Sequence, residues 1–518
     1  MTTFTKIRDD EIPTISIHPE RRISKINDNI YAGFTEHMGR CIYGGIYDPG
    51  NPLSDENGFR KDVLEALKEL NIPTVRYPGG NFVATYHWLD GVGPKDQRPS
   101  RPELAWDGVE TNEFGTDEFL KWCKVLGTEP YFALNMGTGT TYDPTREAVT
   151  ENQATAMGWV EYCNGTGNTY YANLRRKNGH PEPYNVKYWA LGNETWGPWQ
   201  VEQSTKEAYA AKAIQWAKAL KLLDPSITLI LCGETGVSSW DYYTLSRCIL
   251  PANSPLTSSA STLIDMHSIH MYTASSDHNK NATAPLAAER AIEVASSLID
   301  LAMIENGVPP EQARPTICFD EWNVWDPQRA VGSDGAEESY TLSDALAVAV
   351  WLNVFIRQSK DVGMACIAQS VNVISPLMTT KEKIIKQTTW WPLWLFSRFM
   401  RGWTIGSHVS CGAYEGATEP KWLRSVKDTP WLDVSATLSD DGWVSVAVVN
   451  IHEQKDFTAK FEGAPSKEVE VYTVTGDDVN DTNMKGENKV SLQNSAWDGE
   501  GLYTFPKHSL TMFKWKLQ

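Results

Sequence analysis

Lys187-Tyr188-Trp189-Ala190-Leu191 runs directly into Gly192-Asn193-Glu194, and Pro315-Thr316-Ile317-Cys318-Phe319 runs directly into Asp320-Glu321. Each is a short, mostly apolar stretch closed by turn or acidic residues, the pattern of a strand buried on both faces in a parallel sheet. Six more such runs lie outward from these two: Ile30–Phe34, Thr74–Tyr77, Pro130–Asn135, Thr228–Cys232, Met266–Tyr272 and Ala365–Val371. Their starts are about 48 residues apart on average, which leaves room for a helix and a loop in each unit. Helical spacing fills several gaps. Phe59, Val63, Leu64, Leu67 and Leu70 share a face ahead of Pro73, and Ala208 to Leu223 and Ala288 to Met303 are rich in helix formers. Leu342 to Ile356 reads as an apolar helix before the eighth strand. Eight alternating strands and helices predict an α/β fold of the (β/α)8 TIM-barrel type. An open sheet is disfavoured, because no glycine-rich dinucleotide fingerprint follows the first strand.

The tail reads differently. From about Ser407 apolar and polar residues alternate between turns, as in Trp443–Val448 and Val469–Val474. Phe513, Trp515 and Leu517 alternate with Lys514 and Lys516, giving one apolar and one charged face. This predicts a C-terminal β-sandwich of jelly-roll-like type. Thr14-Ile15-Ser16-Ile17 is expected to add an N-terminal strand to it. The expected organisation is therefore an N-terminal segment joining the sandwich (1–27), a barrel (28–406) and the sandwich itself (407–518).

Composition narrows the function classes. The 518 residues are 41% hydrophobic and 22% charged, which excludes a mainly disordered or collagen-like chain. A net charge of −18 argues against nucleic acid or an anionic membrane as the main partner. No apolar run follows the first ten residues and no stretch of about 20 apolar residues exists, so neither a signal peptide nor a membrane span is expected, and the expected location is cytoplasmic. Eight cysteines without metal-type pair spacing are expected to be reduced and buried. Twenty-one Trp and 20 Tyr form a heavy aromatic load, suited to the C–H faces of sugar rings and equally to a large core.

In such a barrel the chemistry sits where strands end. Polar residues close every predicted strand, among them Glu36, Asn81, Asn135, Glu194, Glu234, Glu321 and Gln369. Glu194 and Glu321 each follow an apolar strand and have Trp nearby. A carboxyl group at an apolar rim can have its pKa raised, as a general acid requires, while a second, ionised carboxylate serves as nucleophile. That pair suits glycoside hydrolysis; the alternative is a salt bridge across the barrel mouth. If the two face each other across one mouth, their carboxyl groups should lie about 5 to 5.5 Å apart. Asn193 either donates to a sugar 2-hydroxyl or braces the turn. His267 and His270 are three apart in a strand and point to opposite faces, so they cannot share a metal; His270 is expected to line the site or core. No Cys/His cluster and no Gly-x-Ser-x-Gly elbow is present.

At these residues the chain closely resembles the α-L-arabinofuranosidases of glycoside hydrolase family 51. The matching text includes Gly33-Phe34-Thr35-Glu36-His37-Met38-Gly39-Arg40, Val75-Arg76-Tyr77-Pro78-Gly79-Gly80-Asn81-Phe82, Leu191-Gly192-Asn193-Glu194 and Gly197-Pro198-Trp199-Gln200. It continues through His270-Met271-Tyr272, Phe319-Asp320-Glu321-Trp322-Asn323-Val324-Trp325 and Ala368-Gln369-Ser370-Val371-Asn372-Val373. The match runs in order along nearly the whole chain. The resemblance implies a clan A barrel with a β-sandwich and double displacement with retention. It implies Glu194 as acid/base and Glu321 as nucleophile. Glu36, Asn81, Asn193, Tyr272 and Gln369 would contact the sugar, with Trp106 and Trp325 bordering the site. Three places depart from many relatives: Thr195-Trp196 where Met-Asp is common, Gly139-Thr140 where Arg-Gly is common, and Glu234 where small residues are usual. These are rim positions and bear on the leaving group.

The expected function is an exo-acting arabinofuranosidase that removes terminal α-L-arabinofuranosyl units from arabino- and arabinoxylo-oligosaccharides. No metal or organic cofactor is expected. The rivals are another clan A enzyme such as an endo-β-glucanase or xylanase, a non-catalytic sugar-binding protein, and a metal-dependent barrel enzyme. A homo-oligomer is an analogy with relatives. The sequence does not select among 1,2, 1,3 and 1,5 linkages.

Overall fold

The structure, a computed structural model, describes residues 2–137, 153–201, 203–251, 262–326, 336–420, 428–465, 469–484 and 488–517. Eight strands close into a parallel barrel: β1 (Ala32–Phe34), β2 (Thr74–Tyr77), β3 (Glu129–Ala133), β4 (Tyr188–Leu191), β5 (Thr228–Leu231), β6 (Met266–Thr273), β7 (Thr316–Val324) and β8 (Val362–Ala368). Each pairs with its neighbours in chain order, and β8 closes on β1. All eight predicted runs are strands of this barrel. The first is shorter than expected, because Asp28–Tyr31 forms one 3-10 turn capped by the Asn27 side chain, which accepts from the Asn29 N–H. The seventh is longer and carries Glu321 within the strand.

The helices follow the predicted faces. Lys61–Glu69 buries Val63, Leu64 and Leu67, and Lys206–Leu223 starts at Thr205, whose side chain accepts from the Ala208 N–H. Leu342–Arg357 is buried at all sixteen positions, as an all-round apolar helix must be. It lies between barrel and sandwich. On one side the Trp351 indole donates to Thr273 of β6; on the other Asn353 and Arg357 reach Asp433 of the sandwich. Arg357 also holds Glu289, so a buried cation is met by two carboxylates across the lobe boundary.

The C-terminal lobe is one ten-stranded sheet folded over its own core. Phe513 of Ser509–Lys516 packs on Phe461 of Phe457–Glu462 with ring centroids 4.9 Å apart, although several strands separate them in the sheet. This face-to-face closure makes the lobe a sandwich. The N-terminal strand Thr14–Lys25 lies between Trp403–Cys411 and Phe457–Glu462 and buries Ile15 and Ile17 in that core. A second N-terminal strand, Thr2–Lys6, also pairs with Trp403–Cys411. Phe513 and Trp515 are buried as the alternation required, but the strand ends at Lys516 and Leu517 stands outside the core, 39% exposed. All eight cysteines are free and buried. Among the described residues no helix is long and apolar enough to cross a membrane.

Candidate active site

The strand ends converge on a cavity of about 560 Å³. Its lining includes Glu36, Asn81, Trp106, Glu194, His270, Tyr272, Glu321, Trp325 and Gln369, nine of the ten side chains singled out from sequence. Asn193 is the exception. It is buried beside the cavity, where its Oδ1 accepts a 2.6 Å hydrogen bond from Arg76 and its Nδ2 has no partner. It therefore braces the turn and also keeps a donor to spare. The Gly139-Thr140 departure lies outside the described residues.

β4 delivers Glu194 through a sharp turn. Gly192 has φ +87° and Glu194 itself φ +44°, a left-handed conformation unusual for a residue with a side chain. Strain of this kind persists where the surroundings fix the position. Here the Glu194 carboxylate takes part in a 3.0 Å hydrogen bond between its Oε1 and His270 Nδ1, and its Oε2 accepts from the Trp199 indole at 3.2 Å. Opposite it, Glu321 accepts from Arg76 at 2.6 Å on Oε1 and from the Tyr272 hydroxyl at 2.7 Å on Oε2. One donor atom from each of Glu194, His270 and Glu321 lies within 4.8 Å of the other two. One oxygen of each carboxylate thus lies within 4.8 Å of the other, a close approach that suits a nucleophile and an acid/base acting on one glycosidic centre.

Glu36, at the end of β1, is the third carboxyl group in the pocket. Its Oε1 accepts from the Phe82 N–H and the Trp106 indole, and its Oε2 from the Gln369 amide. Burial, and then the charge of Glu321, push Glu36 up to about 8. Trp106 reaches it from a hairpin formed by Arg101–Glu103 and Gly108–Glu110. Gly80 explains the Pro78-Gly79-Gly80 text: a Cβ there would sit 3.0 Å from Glu36 Oε2 and 3.2 Å from Glu321 Oε1. Asn81 accepts a hydrogen bond from Gln200. Trp325 stands edge-on to Tyr272 at 5.2 Å, and its indole N–H is unpartnered.

Burial works against a charge on His270, but Glu321, then Asp320, and the contacts to Asp320 and Glu194 outweigh it and hold the ring up to about 10. The spacing of Glu194, His270 and Glu321 would also suit a metal ion. An ion there would have to displace the proton from His270 Nδ1, because a protonated ring nitrogen has no lone pair to give. His267 goes elsewhere, to Asp241.

Sequence reasoning did not assign roles to Arg76, Trp196 or Trp199. Arg76 sits within an apolar strand with 0% exposure, a placement that demands paired charges and was a legible signal. Trp196 and Trp199 line the mouth next to Glu194, edge to face at 5.2 Å, and the Trp196 indole donates to the Gly233 carbonyl.

Comparison with known proteins identifies the family. Residues 66–288 match the model of the alpha-L-arabinofuranosidase 1 domain, and residues 320–509 that of the alpha-L-arabinofuranosidase C-terminal domain. The chain is 76% identical over the full length of both proteins to a probable alpha-L-arabinofuranosidase C of Aspergillus terreus. It is 35% identical, over 87% of this chain and 88% of the relative, to an intracellular exo-alpha-(1->5)-L-arabinofuranosidase of Halalkalibacterium halodurans. The crystal structure of a Thermotoga maritima alpha-L-arabinofuranosidase in complex with arabinose superposes with a TM-score of 0.85 at 39% identity, covering 98% of this chain and 100% of that one. With its closed barrel, its sheet lobe and its facing glutamates, the chain belongs to the α-L-arabinofuranosidases, glycoside hydrolases of family 51.

Proposed function

We propose that the enzyme is a retaining, exo-acting α-L-arabinofuranosidase working on terminal non-reducing arabinofuranosyl units of arabino- and arabinoxylo-oligosaccharides. The observation that carries this reading is the close approach of Glu194 and Glu321, one oxygen of each within 4.8 Å, in the cavity at the barrel mouth. Glu194 gives its proton to the glycosidic oxygen as the C1–O bond breaks, and the bonding pair leaves with that oxygen. A carboxylate oxygen of Glu321 forms the new bond to C1, giving a glycosyl ester. Water then attacks C1, its proton goes to Glu194, and the ester bond breaks to restore the Glu321 carboxylate.

The surroundings support these roles. Arg76 and Tyr272 point donors at Glu321, which suits a group that begins and ends the cycle ionised. Glu194 lies beside Trp196 and Trp199 at the open side, where a leaving sugar would lie against their faces. Glu36, Asn81, Gln369 and Trp325 line the cavity with donors and acceptors for the arabinosyl unit, and Asn193 lies behind them with a spare amide N–H. The Halalkalibacterium relative, named as intracellular and exo-acting on the 1,5 linkage, favours an exo mode and an intracellular site of action.

A panel of nitrophenyl glycosides and a set of arabinoxylo-oligosaccharides tests the substrate reading. Preference for the α-L-arabinofuranoside and release of arabinose alone, leaving the xylan backbone intact, are expected. Cleavage within the β-linked backbone would replace this reading with that of an endo-xylanase.

A further inference from the structure

Asp320 precedes Glu321 on β7, is 1% exposed, and does not line the cavity. Four side chains from three strands aim at it. The Tyr131 hydroxyl from β3 donates to its Oδ2 at 2.6 Å, and the Ser268 hydroxyl from β6 donates to its Oδ1. Arg76 Nε from β2 lies 3.5 Å from Oδ2, and His270 Nε2 lies 3.2 Å from Oδ1. The last two are charge contacts rather than aligned hydrogen bonds. The thiols of Cys232, Cys318 and Cys366 also lie within reach of its charge. Both cations that face Asp320 also face the reacting pair: Arg76 holds Glu321, and His270 Nδ1 lies 3.0 Å from Glu194 Oε1 and 3.6 Å from Glu321 Oε1.

We propose that Asp320 is a positioning residue that fixes His270 as a doubly protonated bridge between Glu194 and Glu321. A carboxylate facing Nε2 calls for a proton there, and carboxylates facing Nδ1 call for one on that side. Only the imidazolium meets both. The proposal rests on the double-displacement reading for its use. In that cycle the glutamate pair carries one negative charge in both resting states, on Glu321 before the first step and on Glu194 in the glycosyl-enzyme. A fixed N–H within reach of both oxygens follows that charge from one glutamate to the other without moving a side chain. Asp320 supplies the counter-charge from beneath, out of reach of the sugar.

The test combines two variants with a measurement on the unaltered enzyme. Asp320→Asn removes the counter-charge at nearly constant shape. It should lower kcat/KM on an aryl arabinofuranoside by about 10²-fold. The imidazolium is part of the working enzyme, so its deprotonation limits kcat/KM on the alkaline side. Loss of an anion from beside His270 favours the neutral ring, and the alkaline limb should move down by about 1–3 pH units. Tyr131→Phe removes a hydrogen bond from the same carboxylate but leaves its charge. It should lower Tm and leave the limb in place. In the unaltered enzyme, nitrogen NMR of the labelled histidines should find His270 protonated on both nitrogens at pH 7 to 8. A folded Asp320→Asn enzyme whose limb does not move, whatever its rate, overturns the proposal. So does a neutral His270 at pH 7, a result that needs no variant to fold. Either failure leaves the roles of Glu194 and Glu321 to be judged on their own variants.

Discussion

Glu321→Gln should fold as the parent does and lose activity by roughly 10⁴-fold or more on every arabinofuranoside, activated or not. An amide cannot form the glycosyl ester, and no other described carboxyl group is placed to take over: Glu36 is tied to Phe82, Trp106 and Gln369, and Glu194 is on the leaving-group side. The amide keeps the shape of the site and can still accept from Arg76 or Tyr272, so its Tm should stay close to that of the parent. Steady-state rates with an aryl substrate, measured beside a melting curve, separate lost chemistry from lost fold. A folded variant with near-parental turnover would remove Glu321 from the mechanism.

The second large effect is selective. Glu194→Ala should cost about 10²–10⁴-fold on oligosaccharides, whose leaving oxygen is basic and needs a proton, and far less in the first step on an aryl glycoside whose phenolate leaves unaided. With such a substrate the glycosyl-enzyme should accumulate, because no base activates water. Azide, which needs none, should restore turnover and give an arabinofuranosyl azide. The small side chain leaves space beside His270 for the anion. Equal losses on both substrate types, with no response to azide, would assign the acid/base role elsewhere.

Much of the barrel was legible because its strands are buried on both faces and read as unbroken apolar runs between turn residues. The run that ended too early, Thr316–Val324, did so because Asp320, Glu321 and Asn323 are poor strand formers by composition. They are tolerated there because each has a buried partner: Asp320 has Tyr131, Glu321 has Arg76, and Asn323 donates to the Ala368 and Ile374 carbonyls. Thr14–Lys25 extends well past Ile17 through a charged stretch, since its far end pairs through the backbone with Trp403–Cys411 and buries little. Thr2–Lys6 offers a single apolar residue to read, Phe4, which packs against the sandwich core.

At the site, strand-end position alone located Glu36, Glu194, His270, Tyr272, Glu321 and Gln369. Trp106 came from resemblance, because its place depends on a hairpin that reaches over to Glu36 from another loop. The pairing of Arg76 with Glu321 and Asn193, and of Asp320 with His270, joins strands far apart in the chain. No local spacing encodes such contacts; only barrel closure brings them together.

The central claim is that the two facing glutamates act by a covalent intermediate. Proton NMR of the first arabinose released from an aryl α-L-arabinofuranoside, recorded before mutarotation, tests it most directly. Two inversions at C1 should give the α-anomer first, and added methanol should divert part of the intermediate to methyl α-L-arabinofuranoside. An initial β-anomer would mean a single inversion by water and would contradict the roles given to both residues.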